Sequence, residues 1–490
     1  MLRHEMWGDE LQAWNIAKAS NNIFSLLHNM RYEGHPPLWH IILWVISKFS
    51  HRLVYMQLVH LLTAICVVFV ILFYSPFNNL TKILLPFGYF FLYEYAVLSR
   101  NYALGVLFAF LICIVLHKQF KYKMAAYYSL LFLMSNVHLI ALFLAASFHL
   151  YFLLLVWEKK KKPKTVVLHT LFAAIVFLPA FCMLWPINDG HVNVVLQHNW
   201  DASRLLGDVQ APLRAFIPVP AWWKYNFWNR QFLIEAHSNV KLLKFVTPFI
   251  SIILVGLAYY ILREQKKCLV LFFANLLLTF LLGLVYPLFT ERYVGFIFIS
   301  FLAAYWLLLY EMQIKKAKHN MVGAILIIQM IAGFFIAYKD ISLPFSTWFR
   351  IKELMKQIPA TETLTAEYWT GNAILAYADS SFYSVLAEKR ITFLCLGSDI
   401  DASAQQRGDD YLFYKSVNDF FYTKQKQTMY MFTCDSPELL LKRCPKVFAA
   451  FDVHLLDKMD GAIEVKSSLY LYQINRYRKT QAFTNNATNK

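Results

Sequence analysis

Long apolar stretches and short basic stretches alternate over the first 340 residues of the chain. An apolar run of about 20 residues is long enough to cross a bilayer as a helix. The pattern predicts a polytopic α-helical membrane protein with about ten spans. The predicted spans are 54–74, 81–95, 102–117, 124–137, 139–156, 165–185, 241–262, 268–286, 294–311 and 320–338.

The segment ahead of the first span has a weaker pattern. Residues 9–30 predict one or two short interfacial helices with Leu11, Trp14 and Ala17 on one face. Pro36 and Pro37 end any helix there. Residues 38–49 are apolar but too short to span, which predicts an interfacial or re-entrant helix.

From residue 340 onward the chain alternates helical and strand-like segments. Residues 351–358 predict a helix, and runs of β-branched and aromatic residues predict strands. The expected fold is a small soluble α/β domain with an accessory or acceptor-binding role. The predicted strands are 364–369, 391–395, 411–414, 428–433, 446–451 and 468–474.

Composition supports a membrane class, since charged residues make up 16% of the chain and hydrophobic residues 58%. The net charge of +17 could indicate a nucleic-acid partner. The Lys and Arg residues, however, cluster in short runs between the apolar stretches, as cytoplasmic loops do. We therefore exclude nucleic acid and assign these runs to the cytoplasmic side. The four runs are 118–123, 159–164, 263–267 and 315–318.

This orientation predicts three domains in a multi-pass protein of the cell (inner or plasma) membrane. They are a first extracytoplasmic loop (1–53), a transmembrane domain (54–339) with a long outer loop (186–240), and an extracytoplasmic α/β domain (340–490). The N-terminal loop then lies outside with no span before it. Two explanations stay open: a membrane helix precedes this loop, or the short N-terminal tail is translocated.

Asp9 and Glu10 are the first candidate catalytic residues. A carboxylate beside a membrane can serve as a general base that deprotonates or orients an acceptor group at a sugar carbon. The alternative is structural, because acidic residues in a first helical turn complement the helix dipole.

Further polar motifs lie in the same predicted outer loops. His35, before the two prolines, could bind a phosphate as a cation or serve as a metal ligand, with a turn before the interfacial helix as the alternative. Glu94 and Arg100 lie at the ends of two spans, at the predicted extracytoplasmic face, and Arg292-Tyr293 lies in a later outer loop. Arginine binds phosphate well. For Glu94 and Arg100, the alternative is an interfacial aromatic belt with a snorkelling Arg. For Arg292, the alternative is a simple interfacial pair with Glu291.

The 186–240 loop holds aromatic and acidic residues that suit sugar binding, since aromatic faces stack on sugar rings. An interfacial lid anchored by Trp is equally compatible. A metal site formed with Glu33 has no supporting ligand spacing. The residues concerned are Asp189, His191, His198, Trp200, Asp201, Asp208, 218–220, Trp222, Trp223 and Trp228.

Taken together, these motifs resemble the GT-C membrane glycosyltransferases. They are most similar to the bacterial branch related to protein O-mannosyltransferases and lipid A aminoarabinose transferases. The resemblance rests on an early Asp-Glu, a His-Pro-Pro-Leu, a Glu-x-x-x-x-x-Arg-x-Tyr between spans and a late Arg-Tyr, over about residues 6–310.

The resemblance implies transfer of a sugar from a polyprenyl-phosphate donor to an acceptor at the extracytoplasmic face. It implies Asp9 as catalytic base with Glu10 as its partner. The implied contacts to the lipid phosphate and the donor come from His35, Glu94, Arg100, Arg292 and Tyr293. Relatives carry a membrane helix before the Asp-Glu loop.

Several choices stay open at this point. The acceptor is a lipid, a glycan or a protein, membrane lipids are the other partners, and a divalent metal is neither required nor excluded. A polysaccharide polymerase or ligase and a lipid-linked-sugar transporter are the competing functions. A transporter usually shows repeat halves and polar residues inside spans, of which the sequence has little.

Overall fold

The computed structural model describes residues 3–31, 33–159, 162–185, 202–286, 290–394, 410–443, 445, 451–464 and 467–476. The chain forms two compact units. The first contains His4 and most of the chain from Ser20 to Leu343. The second contains Glu5–Ala19 and the chain from Pro344 onward. The predicted first loop is thus divided between the two units.

The first unit is helical. Its described helices are α2 (Ile23–Asn29), α3 (Leu38–Ser47), α4 (Val54–Tyr74), α5 (Asn79–Leu84), α6 (Tyr102–His117), α7 (Lys123–Ser135), α8 (Leu139–Glu158), α9 (Pro163–Leu184), α10 (Ala202–Val209), α11 (Ala211–Phe216), α12 (Phe232–Glu235), α13 (Leu243–Leu262), α14 (Lys266–Val285), α15 (Glu291–Glu311) and α16 (Lys316–Ser342); helix α1 (Gly8–Ala19) belongs to the second unit.

Seven of the described helices are long and apolar enough to cross a membrane: α4, α8, α9, α13, α14, α15 and α16. The chain is therefore a multi-pass helical membrane protein. Two further predicted spans form shorter helices, α6 with 16 residues and α7 with 13. The short helix predicted after the two prolines is present as α3.

The predicted span 81–95 is not one continuous helix. It begins as α5, continues as a 3₁₀ turn at Leu85–Phe87, and ends as a π-helical turn at Phe90–Glu94. Pro86 removes a backbone donor, and Gly88 takes an extended conformation that interrupts the helix. A π-helical turn often marks a functional position, and this one ends at Glu94.

Helix α15 is the centre of the first unit. Its most apolar 18-residue window is 83% buried, whereas the corresponding window of α9 is 11% buried. Phe296, Phe298, Phe301 and Trp306 are fully buried along α15. Because α15 is enclosed on nearly all sides, the residues at its first turn are held firmly in place.

The second unit is an α/β fold. Its main sheet has the order β1-β4-β6-β5, with β1 parallel to β4 and the other pairs antiparallel, and β2 pairs with β3. The strands are β1 (Thr363–Ala366), β2 (Phe382–Ser384), β3 (Lys389–Ile391), β4 (Thr428–Thr433), β5 (Phe451–Met459) and β6 (Leu469–Arg476), and the helices are α17 (Ile351–Leu354), α18 (Tyr368–Ala373), α19 (Asp410–Lys424) and α20 (Pro437–Arg443).

Several strand predictions in this unit are confirmed and one is wrong. The strands at 428–433 and 468–474 correspond to β4 and β6, and the one at 364–369 corresponds to β1 only as far as Ala366, because Tyr368 and Trp369 already lie in α18. Residues 411–414 instead lie in α19, because Phe413, Tyr414, Val417 and Phe421 are buried at helical spacing. The prediction at 391–395 meets β3 only at Ile391, and most of 446–451 lies outside the described residues.

Helix α1 packs inside the second unit, which corrects the prediction of an interfacial helix. Asn15 Nδ2 donates to the Asn372 carbonyl (2.9 Å), and Lys18 Nζ donates to the Leu375 carbonyl (2.6 Å). Residues on every side of α1 are buried, including Leu11, Gln12 and Ile16. The sequence pattern predicted one buried face with Leu11, Trp14 and Ala17, whereas residues on all faces of the helix are buried.

Gly8 marks the tightest contact of α1. A Cβ added at Gly8 would lie 2.6 Å from two ring carbons of Trp369. We expect Gly8→Ala to lower the free energy of unfolding by about 1–3 kcal/mol because the indole must move. Thermal unfolding of the purified protein measures this. Gly256→Ala is the control, since nothing lies within 4 Å of its added Cβ. Equal melting temperatures for Gly8→Ala and the parent would contradict the described packing.

Candidate functional site in the membrane unit

The structure distributes the predicted site residues over both units. His35, Glu94, Arg100, Arg292 and Tyr293 lie in the first unit. Asp9 and Glu10 lie in the second unit, on the first turn of α1. The two groups are therefore described separately.

Glu94 is buried at the end of the π-helical turn, with 1% of its surface exposed. Its Oε2 accepts hydrogen bonds from the Tyr89 hydroxyl (3.1 Å) and from Trp228 Nε1 (3.2 Å). Its Oε1 is also buried and has no hydrogen-bond partner among the described residues. One carboxylate oxygen is thus fixed by two donors while the other remains an available acceptor.

Arg292 lies in the first turn of α15 and is buried beside aromatic rings. Its guanidinium carbon is 5.6 Å from the centre of the Trp228 ring and 5.4 Å from that of Tyr293. The Tyr95 hydroxyl donates to the Arg292 carbonyl (2.9 Å), which anchors the backbone. Both rings favour a cation at this point. Trp228 therefore contacts Glu94 and Arg292 at once.

Arg214 is a buried cation that the sequence analysis missed. Its Nε and Nη2 both lie 3.1 Å from Glu291 Oε1. The Glu291 backbone N–H donates to Asn229 Oδ1 (3.2 Å), and Asn229 has a positive φ of 58°. The predicted pairing of Glu291 with Arg292 is thus replaced by a pairing with Arg214. No local pattern in the sequence marks Arg214, because its partner Glu291 lies 77 positions later in the chain.

Arg100 lies close to His35: Arg100 Nη2 is 3.4 Å from His35 Nε2. Arginine only donates, so His35 Nε2 accepts and the proton of the neutral ring is on Nδ1. Nδ1 is buried without a hydrogen-bond partner among the described residues. Burial, with the charges of Arg100 and Arg292, lowers the pKa of His35 to about 3. His35 is therefore neutral in this environment.

Two further histidines lie near this pair and were not predicted. Burial lowers the pKa of His40 and of His138, and for both rings the charges of His35 and Arg100 lower it further. The His138 ring centre is 4.7 Å from that of Tyr102. The environment of Arg100 is thus lined with uncharged imidazoles.

Asp340 is another buried acid that the sequence analysis did not single out. It lies in the last turns of α16, where its Oδ1 accepts from the Tyr93 hydroxyl (3.0 Å) and lies 2.9 Å from His4 Nδ1. The His4 carbonyl accepts from Gln57 Nε2 (3.1 Å). Tyr93 precedes Glu94, so these contacts help to fix the π-helical turn.

In the second unit, Glu10 has the geometry of a helix-start carboxylate. Its Oε2 accepts from the Trp7 backbone N–H (3.2 Å), and its side chain is fully buried. Burial raises the pKa of the Tyr377 hydroxyl, and the Glu10 carboxylate raises it further. Asp9 is partly exposed. Of the two acids, Asp9 is therefore the more accessible.

The long loop is described from residue 202 onward. Trp228 is buried, while Trp222 and Trp223 are 54% and 46% exposed. Pro220 pairs with Gln231 in an antiparallel bridge. The remaining candidates of this loop lie outside the described residues: Asp189, His191, His198, Trp200 and Asp201.

Among the described residues, no group of three His, Cys, Asp or Glu side chains is arranged to hold a metal ion. No family model matches the chain, and neither a curated protein nor a solved structure does. The conclusions about function therefore depend on the residues of this chain alone.

The lowered pKa of His35 predicts a pH dependence of stability. The unfolded ring titrates near pH 6.5 and the folded ring near pH 3, so the unfolded state binds more protons as pH falls below 6.5. Stability is complete above pH 6.5 and decreases below it, by about 2 kcal/mol for this group at pH 5.

The change in melting temperature between pH 7.5 and pH 5 measures this effect. We expect His35→Gln to reduce that change, because the substituted side chain does not titrate. His51→Gln, at an exposed histidine, is the matched control and should leave it unaltered. An unaltered pH dependence in His35→Gln would contradict the burial of a neutral imidazole.

Proposed function

We propose that this protein is a glycosyltransferase that moves a sugar from a polyprenyl-phosphate donor to an acceptor at the extracytoplasmic membrane face. The observation that carries the proposal is the buried cluster of Arg100, Arg292, Glu94 and His35 in a multi-pass membrane unit. Buried charges in such a unit are costly and usually serve a function. The resemblance of the Asp-Glu and His-Pro-Pro motifs to those of GT-C glycosyltransferases indicates the reaction class, which is sugar transfer.

The two arginines would hold the donor phosphate. Guanidinium groups offer planar pairs of donors that match phosphate oxygens, and a water-poor surrounding strengthens the attraction. Arg292 is 6% exposed and Arg100 is 7% exposed. Both therefore present their charge at sites largely shielded from water, where a departing phosphate is neutralised most effectively.

Glu94 and His35 would orient the donor. Glu94 Oε1 is an acceptor suited to a sugar hydroxyl, since Oε2 already takes both protein donors. Neutral His35 would donate its Nδ1 proton to a phosphate or sugar oxygen. This role replaces the cationic one and needs no change in protonation during the reaction.

The sequence pattern assigns the general base to Asp9. The acceptor oxygen or nitrogen attacks the anomeric carbon, and its proton passes to the Asp9 carboxylate. The bond between that carbon and the phosphate oxygen breaks, and its electron pair leaves with the polyprenyl phosphate. A nucleotide is not needed, because the phosphate is already a good leaving group.

The first prediction of this proposal concerns donor binding. We expect Arg292→Gln to weaken polyprenyl phosphate binding about 10- to 100-fold, because a charge-assisted hydrogen bond is lost. Titration of polyprenyl phosphate into protein in nanodiscs gives the Kd. Arg263→Gln, at an exposed arginine that stacks on Tyr260, is the control and should bind as the parent does. Equal affinity in Arg292→Gln would remove the basis of the phosphate site.

The second prediction concerns the general base. We expect Asp9→Asn to lower kcat at least about 100-fold while leaving the Kd for polyprenyl phosphate unchanged, since amides do not accept protons. The assay supplies a panel of radiolabelled polyprenyl-phosphate hexoses and pentoses to the protein with a membrane extract as acceptor.

Asp452→Asn is the matched control, because it makes the same substitution at another partly exposed aspartate of the same unit. Full activity of Asp9→Asn would refute the assignment of the base. Donor movement across sealed vesicles without transfer to an acceptor would favour a transporter.

A further inference from the structure

A cavity of about 370 Å³ lies between α13 and α14 in the first unit, apart from the arginine cluster. Its size is in the range of small-molecule pockets, which are mostly apolar with a few polar groups. Side chains such as Phe273, Leu277 and Phe280 line most of it. Nothing in the proposed transfer reaction uses it.

One end of this cavity carries a carboxylate. Asp208, near the end of α10, lines the cavity and is 5% exposed. Its carboxylate lies directly against the backbone of α14 at Gly283, where any Cβ would overlap both carboxylate oxygens. The absence of a side chain at Gly283 is therefore what admits Asp208 to this position.

A second polar group lies on the same face. Thr279 also lines the cavity, is 1% exposed, and its Oγ1 has no hydrogen-bond partner among the described residues. Residues four apart on a helix share a face, so Thr279 lies one turn from Gly283 and the Asp208 carboxylate. The carboxylate and the hydroxyl are thus arranged to contact one head group.

The carboxylate of Asp208 and the hydroxyl of Thr279 lie toward the end of α14 at Val285, whereas apolar side chains line the cavity along α14 as far as Phe273, nearly two turns further from that end. An amphiphile with a polar head and a single apolar chain matches this arrangement. A buried carboxylate repels phosphate and attracts a cation, which distinguishes this occupant from the phosphate of the donor lipid.

We propose that this cavity is a binding site for a single-chain amphiphile with an ammonium head group. The ammonium donates hydrogen bonds to Asp208 and Thr279, and the chain lies along Phe273, Leu277 and Phe280. The site does not depend on the proposed transferase activity.

The experiment uses the full-length protein in phosphatidylcholine nanodiscs and a dodecylamine probe that carries a diazirine on its chain. After illumination, mass spectrometry locates the labelled peptides. We expect labelling within α14 that excess dodecylamine suppresses and excess dodecanoate does not. Suppression by both competitors alike, or labelling spread evenly over the exposed spans, would overturn the proposal.

Two variants test the two ends of the site. Asp208→Asn should raise the half-saturating probe concentration at least tenfold, whereas Glu235→Gln, an acid elsewhere in the same loop, should leave it unchanged. Leu277→Trp fills the cavity from a position that is 56% exposed, so it should fold and abolish labelling. Undiminished labelling in either Asp208→Asn or Leu277→Trp would contradict the site. None of these measurements requires sugar transfer, so their failure leaves the proposed function untouched.

Discussion

The pairing of buried charge is the constraint on which the first unit depends. An ionised carboxylate among apolar side chains is strongly unfavourable unless donors surround it, and removal of one donor leaves the charge uncompensated. Each of three buried acids takes its donors from distant parts of the chain: Glu94 from Trp228, Glu291 from Arg214, and Asp340 from Tyr93. The long loop, the π-helical turn and two spans can satisfy these acids only in one mutual arrangement. Polar contacts therefore specify how this unit assembles, while its apolar surfaces supply the bulk of the burial.

The same pairing gives the arginine cluster its chemical character. Because the Trp228 indole N–H bonds Glu94 and its ring lies beside Arg292, the buried carboxyl group and the guanidinium keep fixed positions. Arg100 is likewise set among neutral imidazoles. Rigid charges in a shielded site interact strongly with a charge that develops during a reaction, since little reorganisation is needed. These features support a role in holding a departing phosphate.

The sequence predicted those helices and strands whose bounds depend on a local pattern of apolar residues. The bounds of α4 and β4 follow directly from apolar runs and β-branched residues, and Glu94, Arg100 and Arg292 were found because polar residues at span ends are conspicuous. Contacts across hundreds of residues leave no such pattern. The roles of Arg214 and Asp340 depend on their distant partners Glu291 and Tyr93. The sequence of α1 likewise does not indicate that it packs against α18. His35 was found from its motif, but its lowered pKa depends on burial that the sequence does not express.

The position of α1 also has a consequence for the order of folding. Asn15 bonds to Asn372, a residue 357 positions later in the chain. At roughly 5–20 residues per second, synthesis of the intervening chain takes on the order of 20–70 s. A 12-residue helix is marginal by itself in water. The segment with Asp9 and Glu10 thus leaves the ribosome well before its partner Asn372, and it acquires its native structure only after that later part of the chain has been made.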